Sequence, residues 1–568
     1  MSTELAFLWL VMATTGHGLA FGWIWRRWTK TAEPTDSLGD AGLAGILVLA
    51  AFGIILHFFI SLSPGLSLTL DSAGIILFVV LGRSILLQYD VTNWLFVLLC
   101  ILTFSLRAQL DLSFEDDGIY YIPTILWNSA APIIPGLANL HGRLGYNNAG
   151  LIVATLLRLP LVLWKGAFLL NALFAFFVML GFFERLRTAL ASSGVARIST
   201  IYCLLMIGGF CANGFVFDGR LGNLVTDFGP FFLACYVGFL LLLSAESHDP
   251  GIAGWSTLLA TLAVIIKLSA LPLLCGSLLF LLLSEGTLSH RARGTLPTLC
   301  LSTGLLGAWA VRGLLLSGCA AYPALATCTS KLPWTVRAQL AINESQYVFD
   351  WARGTIEGPQ STVDWLSPIG RVLTNSHTGL LLLLFLGGGL ILITVGLFRN
   401  KQAILSNLLT SLPPIAIGLG WILFAVLKGP AFRFYSGGAF MLAYTVAACG
   451  IFQFRETLAS IPFKRWVPGA LCFLLAIQGS RLGIEYFTTS SKDWPHFHTP
   501  EVFQRTTNSG LAIWVSKDED CWDAPLPCTP YFDPALQRIP WLNRFYFVGQ
   551  NTIAYRNGFG LPAIPVTP

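Results

Sequence analysis

The run Phe114-Glu115-Asp116-Asp117-Gly118-Ile119-Tyr120-Tyr121 sets three carboxylates side by side. Neighbouring carboxylates oppose one another's ionisation, and apolar surroundings add to the effect. One of them, with Asp116, Asp117 and Glu115 as candidates, could take a proton from a sugar hydroxyl. Together they could instead ligate a divalent cation such as Mg or Mn. The plainer reading is a solvated helix cap, since aspartate is a common N-cap.

A second stretch follows from Pro135 to Asn148, PGLANLHGRLGYNN. Glycines allow close backbone approach, and amides with an arginine suit sugar hydroxyls and phosphate oxygens. Asn139, His141, Arg143 and Asn147 are therefore candidate substrate ligands, together with Tyr120. An interfacial turn capped by asparagine is the structural alternative. Charges inside or beside apolar runs add Asp218, Arg220, Asp227, Lys267, Arg312 and Arg433. A charge at membrane depth is costly, so each is a functional candidate. Arg433 could bind a lipid-linked phosphate or simply snorkel to the interface. Lys267 reads as a substrate contact or as the salt-bridge partner of Asp227. Trp334, Trp351 and Arg353 complete the set, because aromatic faces stack on sugars and arginine binds phosphate, although both also pack loops.

The elements that must position these residues are membrane spans. Of 568 residues, 55% are hydrophobic and only 11% charged, and mean hydropathy is +0.70. A soluble domain carries about 25% charged residues, so lipid must cover much of this exterior. The 18 Trp and 41 Phe suit interfacial belts and lipid-facing surface. Apolar runs long enough to cross a bilayer fall near 4–25, 41–62, 71–89, 91–108, 160–183, 196–215, 226–244, 253–267, 269–284, 296–316, 378–398, 403–427, 434–454 and 466–482. The expectation is an all-α polytopic protein with about 11–14 spans. The two short runs flanking Lys267 read as one broken or re-entrant segment.

Basic residues orient the spans. Arg26, Arg27, Lys30, Arg185, Arg187, His290, Arg291, Arg293, Arg399, Lys401, Arg455, Lys464 and Arg465 lie in one set of alternate loops, which reads as cytoplasmic. The opposite, extracytoplasmic set holds the long loops 109–159 and 317–377 and everything after about 483. Residues 1–482 thus form a transmembrane domain, and residues 483–568 an extracytoplasmic C-terminal domain. The tail has short β-prone stretches between Pro and Gly breaks and reads as a small mixed α/β region. Of 12 cysteines, most sit in apolar runs. Cys319 with Cys328, and Cys521 with Cys528, are close pairs in loops where oxidation is permitted, and each is a disulfide candidate. Net charge is +5, with no basic run interleaved with aromatics, so nucleic acid is excluded as a partner. No Walker loop, GxSxG, HExxH or paired CxxC is present, so ATP-driven work and zinc hydrolysis have no support.

The run DDGIYYIPTILW followed by PGLANLHGRLGYNN resembles an uncharacterised family of bacterial polytopic membrane proteins. IKLSALP, SGCAAYP, WAR, PAFRF and CWDAPLPCTPYF extend the likeness in order along most of the chain. That family in turn resembles GT-C glycosyltransferases. The resemblance implies a polyprenyl-phosphate sugar as donor, and a glycan or lipid-linked acceptor. It also implies a place in the bacterial inner membrane, among membrane lipids, in surface-polysaccharide synthesis. It puts the acidic residue of the first long extracytoplasmic loop, base or metal ligand, at Asp116. Tyr121 stands where the family has a histidine. The expected function is transfer of the sugar onto the acceptor on the extracytoplasmic face. The alternatives are a flippase or transporter of lipid-linked oligosaccharide, and a polysaccharide polymerase or ligase. Polar residues concentrated on one face, rather than along a mid-membrane path, favour surface chemistry over transport.

Overall fold

The computed structural model describes residues 2–29, 37–111, 116–160, 164–192, 197–212, 221–283, 288–353, 370, 376–459, 463–488, 494–495, 497–517, 520–541 and 544–549. Glu115, Asp218 and Arg220 lie outside the described residues. Among those described, ten helices are long and apolar enough to cross a membrane: Thr3–Trp28, Leu38–His57, Pro64–Leu81, Val91–Gln109, Phe228–Ser247, Thr295–Ser317, His377–Arg399, Lys401–Lys428, Phe432–Leu458 and Trp466–Thr488.

The other four expected spans are also helical. Ile198–Cys211, Pro250–Ile266 and Leu268–Leu283 are shorter. Leu170–Ser192 carries Glu184, Arg185 and Arg187 in its second half. The two runs flanking Lys267 form a hairpin. Lys267 itself is extended, and the Thr257 hydroxyl donates back across the hairpin to the Ser277 carbonyl at 3.3 Å.

Two layers are evident. The Leu38–His57 and Phe228–Ser247 helices are 78% and 83% buried within the protein, and form its centre with Leu170–Ser192. The Pro64–Leu81, Thr295–Ser317, His377–Arg399 and Trp466–Thr488 helices are only 17–28% buried, and turn Leu, Ile, Val and Phe outward. Such faces need lipid to cover them. Within the bundle, small residues bring backbones together. A Cβ on Gly18 would lie 1.6 Å from the Ala41 carbonyl oxygen, so any larger residue would force the first two helices apart.

From residue 116 onward, the described part of the stretch 109–159 is not the surface loop its polarity suggested. It sinks into the bundle as a π-helical turn Asp117–Tyr121, a helix Ile122–Ala130, two 3-10 turns at Leu137–Asn139 and Gly142–Gly145, and a fully buried helix Ala149–Leu156. Beyond the helix Phe463–Thr488 the tail forms two small sheets. Strand β1 (Val502–Thr506) pairs antiparallel with β2 (Ala512–Ser516), which pairs parallel with β3 (Cys528–Thr529). Strands β4 (Gln537–Trp541) and β5 (Arg544–Val548) form an antiparallel hairpin. The structure joins Cys319 to Cys328 and Cys521 to Cys528 as disulfides.

At the end of the bundle away from the tail, one carboxylate locks the central helices. Asp40 is fully buried and accepts two bonds from Arg185, at 2.6 and 3.2 Å. Tyr236, Trp255 and Ser37 donate to it at 2.8, 3.0 and 3.0 Å. Four segments therefore meet on one anion. Breaking such a pair leaves a buried charge unanswered and costs about 3–5 kcal/mol. Arg185→Leu should accordingly lower the thermal unfolding midpoint sharply in detergent, whereas Arg187→Leu, whose ion pair with the half-exposed Asp90 is solvated, should shift it little.

Candidate functional site

At the opposite end, segments distant in sequence meet on a chain of alternating charges. It begins at Glu344, buried to 1% on the helix Ala338–Arg353. The Tyr146 hydroxyl donates to the Glu344 carboxylate, and Arg143 Nε lies 3.8 Å from the same oxygen. Arg143 Nη1 donates to Asp116 Oδ1 at 2.7 Å. Asp116 Oδ2 is 4.0 Å from Arg433, and Arg433 Nε is 3.9 Å from Asp227 Oδ2. Asp227 closes the series by pairing with Lys267.

Local structure explains each position. Asp116 precedes the π-turn and makes no cap hydrogen bond, so its side chain is directed to Arg143 rather than to the backbone. This is not the solvated cap of the plainer reading. Asp227 precedes the helix Phe228–Ser247, also without a side-chain cap bond. Lys267 stands at the break of the hairpin, where the chain leaves helical geometry. Arg433 lies at the start of the helix Phe432–Ile451.

Aromatic rings hold the cations. Arg143 lies over Tyr120 at 5.3 Å and over Tyr347 at 5.6 Å. Arg433 lies over Trp351 at 4.3 Å, and Lys267 over Phe434 at 4.7 Å. Glu344, Tyr347 and Trp351 are spaced i, i+3 and i+7, which puts them on one face of one helix. That face meets Arg143 and Arg433 together. Exposure rises from 1% at Glu344 to 30% at Arg433, falls again at the buried Asp227, and is 40% at Trp351, which stacks on Arg433. The open end is thus Arg433, Lys267 and Trp351.

Burial lifts the Glu344 carboxyl above its ordinary value, and Arg143 only partly opposes this. Burial also works against the Arg143 charge, but Asp116 and Glu344 more than offset it, and the guanidinium is held above its ordinary value. Arg143 is therefore a fixed cation, braced by two rings and two carboxylates, rather than a free phosphate ligand.

Several expected ligands serve the fold instead. Asp117 is fully buried, and its Oδ1 accepts from the Leu224 amide at 3.2 Å, so it ties the turn to that segment. Asn139 donates to the carbonyls of Trp334 and Phe547, at 2.9 and 3.1 Å. Asn147 accepts from Arg312 at 2.7 Å, and its carbonyl accepts from Trp309 at 2.6 Å. His141 is buried beside Tyr531. Arg353 stacks on Phe349 of its own helix at 3.7 Å, and forms no ion pair among the described residues. Glu344, Tyr347 and Trp522 were missed. For the first two, the i, i+3, i+7 spacing in a polar loop was the available signal.

Among the described residues no three of His, Cys, Asp and Glu converge. Asp116 and Asp227 each face cationic side chains instead, so the described donor set does not fit a resident divalent cation.

Fold and site together define a polytopic membrane protein with a charged cluster where its long loops and tail meet the bundle. The chain belongs to the family described as a domain of unknown function (DUF8201), whose model matches residues 2–440. That span includes all six charges of the cluster. No curated protein and no solved structure matches the chain.

Burial, with Arg143 adding to it, pushes His141 down to about 3. An unfolded histidine titrates near 6.5. The folded state therefore resists protonation that the unfolded chain accepts, and stability is lost as pH falls from about 6.5 towards 3. His141→Phe should flatten the decline of the unfolding midpoint across that window, as followed by thermal denaturation at stepped pH.

Proposed function

We propose that this protein is a GT-C-type glycosyltransferase of the bacterial inner membrane. It moves a sugar from a polyprenyl-phosphate donor to a glycan or lipid-linked acceptor on the extracytoplasmic face, in surface-polysaccharide synthesis. The observation that carries this reading is the place of Asp116 between a fixed arginine and a partly exposed one, beside an exposed tryptophan at the rim of a membrane bundle.

Each part has a chemical task. The donor's phosphate docks at Arg433 and Lys267, which its lipid tail reaches from the bilayer. Trp351 offers a ring for the sugar to stack on. Asp116 takes the proton from the acceptor hydroxyl as the hydroxyl oxygen bonds to the anomeric carbon. The bond from that carbon to the phosphate oxygen breaks, and polyprenyl phosphate leaves with the electron pair. The leaving charge develops beside Arg433 and Lys267, where prearranged cations stabilise it best. A phosphate leaves with less acid assistance than an alkoxide, so a single base suffices.

A positioned base contributes about 10²–10⁴-fold. Asp116→Asn keeps an acceptor for Arg143 but removes the base. In purified protein reconstituted in lipid, it should lose transfer from radiolabelled polyprenyl-phosphate sugars by about that factor, with an unchanged unfolding midpoint. Full turnover in this variant would sink the assignment of Asp116. Vesicle flux of a lipid-linked sugar, without transfer by wild type, would replace the transferase with a flippase.

A further inference from the structure

The turn that carries Asp116 has a gap in its own hydrogen bonding. In the π-turn Asp117–Tyr121, the Ile122 amide donates to the Asp117 carbonyl, five residues back. The Gly118 carbonyl would next require the amide of residue 123, which is Pro123 and has none. A buried carbonyl without a donor is costly. The tail supplies the donors: Cys521 and Trp522 both give their amides to Gly118 O, at 3.1 and 2.9 Å.

Contact is as close as backbone chemistry allows. A Cβ on Gly118 would lie 2.3 Å from the Trp522 indole, so glycine is required there. Trp522 adopts a left-handed backbone with φ of 41°, uncommon for a non-glycine residue and held only where surroundings enforce it. The surroundings are visible. The Cys521–Cys528 disulfide closes the loop behind Trp522. His498 and Phe497 pack on the indole at 5.2 and 6.2 Å, and Phe497 packs in turn on Phe168 of the bundle at 5.9 Å. From the other side, Asp117 holds the turn to Leu224.

We infer that Trp522 is a positioning residue of the active site: the tail loop closed by Cys521 and Cys528 completes the π-turn and thereby sets where Asp116 stands between Arg143 and Arg433. This rests on the transferase reading for its catalytic consequence, but not for the clamp itself. The membrane bundle alone then lacks a formed site, and the tail is part of the catalytic unit. Displacement of a reacting group by about 1 Å can cost on the order of 10² in rate.

The test compares full-length wild type, Trp522→Ala and Trp522→Phe in lipid, by amide hydrogen exchange and by steady-state transfer. In Trp522→Ala, exchange across residues 117–124 should rise by about tenfold or more, while exchange around Asp40 stays unchanged. The kcat should fall by about tenfold or more with donor KM within about twofold, because Arg433 and Lys267 are untouched. Both variants keep the two backbone amides, and Trp522→Phe, which restores an aromatic ring against Gly118, should recover most of both. Unchanged exchange, or raised exchange with normal kcat, would overturn the proposal, as would a joint collapse of kcat, KM and unfolding midpoint. If wild type transfers no sugar, the transferase reading fails, and exchange alone decides the clamp: a rise upholds it and no change refutes it.

Discussion

An ionised group beside a hydrocarbon phase is costly unless charges or hydrogen-bond acceptors and donors answer it, and at the loop end of this protein three carboxylates and three cations do so in strict alternation. Glu344, Arg143, Asp116, Arg433, Asp227 and Lys267 come from five segments, Asp116 and Arg143 sharing one. Every neighbour in the series has the opposite sign, and each of the four interior members faces two opposite charges. The second loop, the buried stretch after residue 116, the hairpin break and the starts of two helices are held in register by this one constraint. Apolar packing brings the segments near one another, but it has no direction. The charges and their rings fix which atoms face which.

The series is not uniform along its length. At the Glu344 end Tyr146 donates to Glu344 and Arg143 donates to Asp116 at 2.7 Å, with Arg143 Nε 3.8 Å from Glu344, and the groups sit among aromatic rings with little exposure. At the Arg433 end the separations to Asp116 and Asp227 are 4.0 and 3.9 Å, beyond good hydrogen-bond geometry, and exposure is greater. Tight contacts keep their geometry when a neighbour changes, whereas loose ones can be exchanged. An incoming anion would find its place at the loose contacts of Arg433, beside Lys267, while the short bond from Arg143 holds Asp116 where it is. The six charges sum to zero, so an anion at Arg433 also weakens that arginine's hold on Asp116 Oδ2.

The amino-acid pattern carried the membrane architecture well, because a bilayer demands long uncharged runs and these are visible one residue at a time. All fourteen expected spans are helical, and the hairpin at Lys267 was foreshadowed by two runs too short to cross separately. The depth of residues 116–156 was not legible. Asparagines, glycines and an arginine suggest solvent, yet Asn128, Asn139 and Asn147 bond to carbonyls, to the Thr155 hydroxyl and to Arg312, contacts made 27 to 408 residues away. No local spacing reports partners so distant. The pairing of Lys267 with Asp227 is one of the two readings its sequence leaves open, because charges of opposite sign in apolar runs have few other options. Glu344 was passed over because its run also carries polar neighbours, and only the helical face shared with Tyr347 and Trp351 sets it apart.

Two buried-end carboxylates, one at each end of the bundle, show how the same chemistry yields different roles. Asp40 accepts five hydrogen bonds from four residues. A carboxylate has about four lone-pair directions, so nothing more can approach it, and its charge is fully committed to holding helices together. Among the described residues Asp116 accepts one short bond on Oδ1, and its Oδ2 meets only a guanidinium at the edge of contact. It is anchored on one oxygen and approachable on the other, as a group must be if it is to receive a proton without losing its place. Counting the bonds each oxygen already makes therefore separates the structural aspartate from the chemically available one, where burial and residue type alone would treat them as alike.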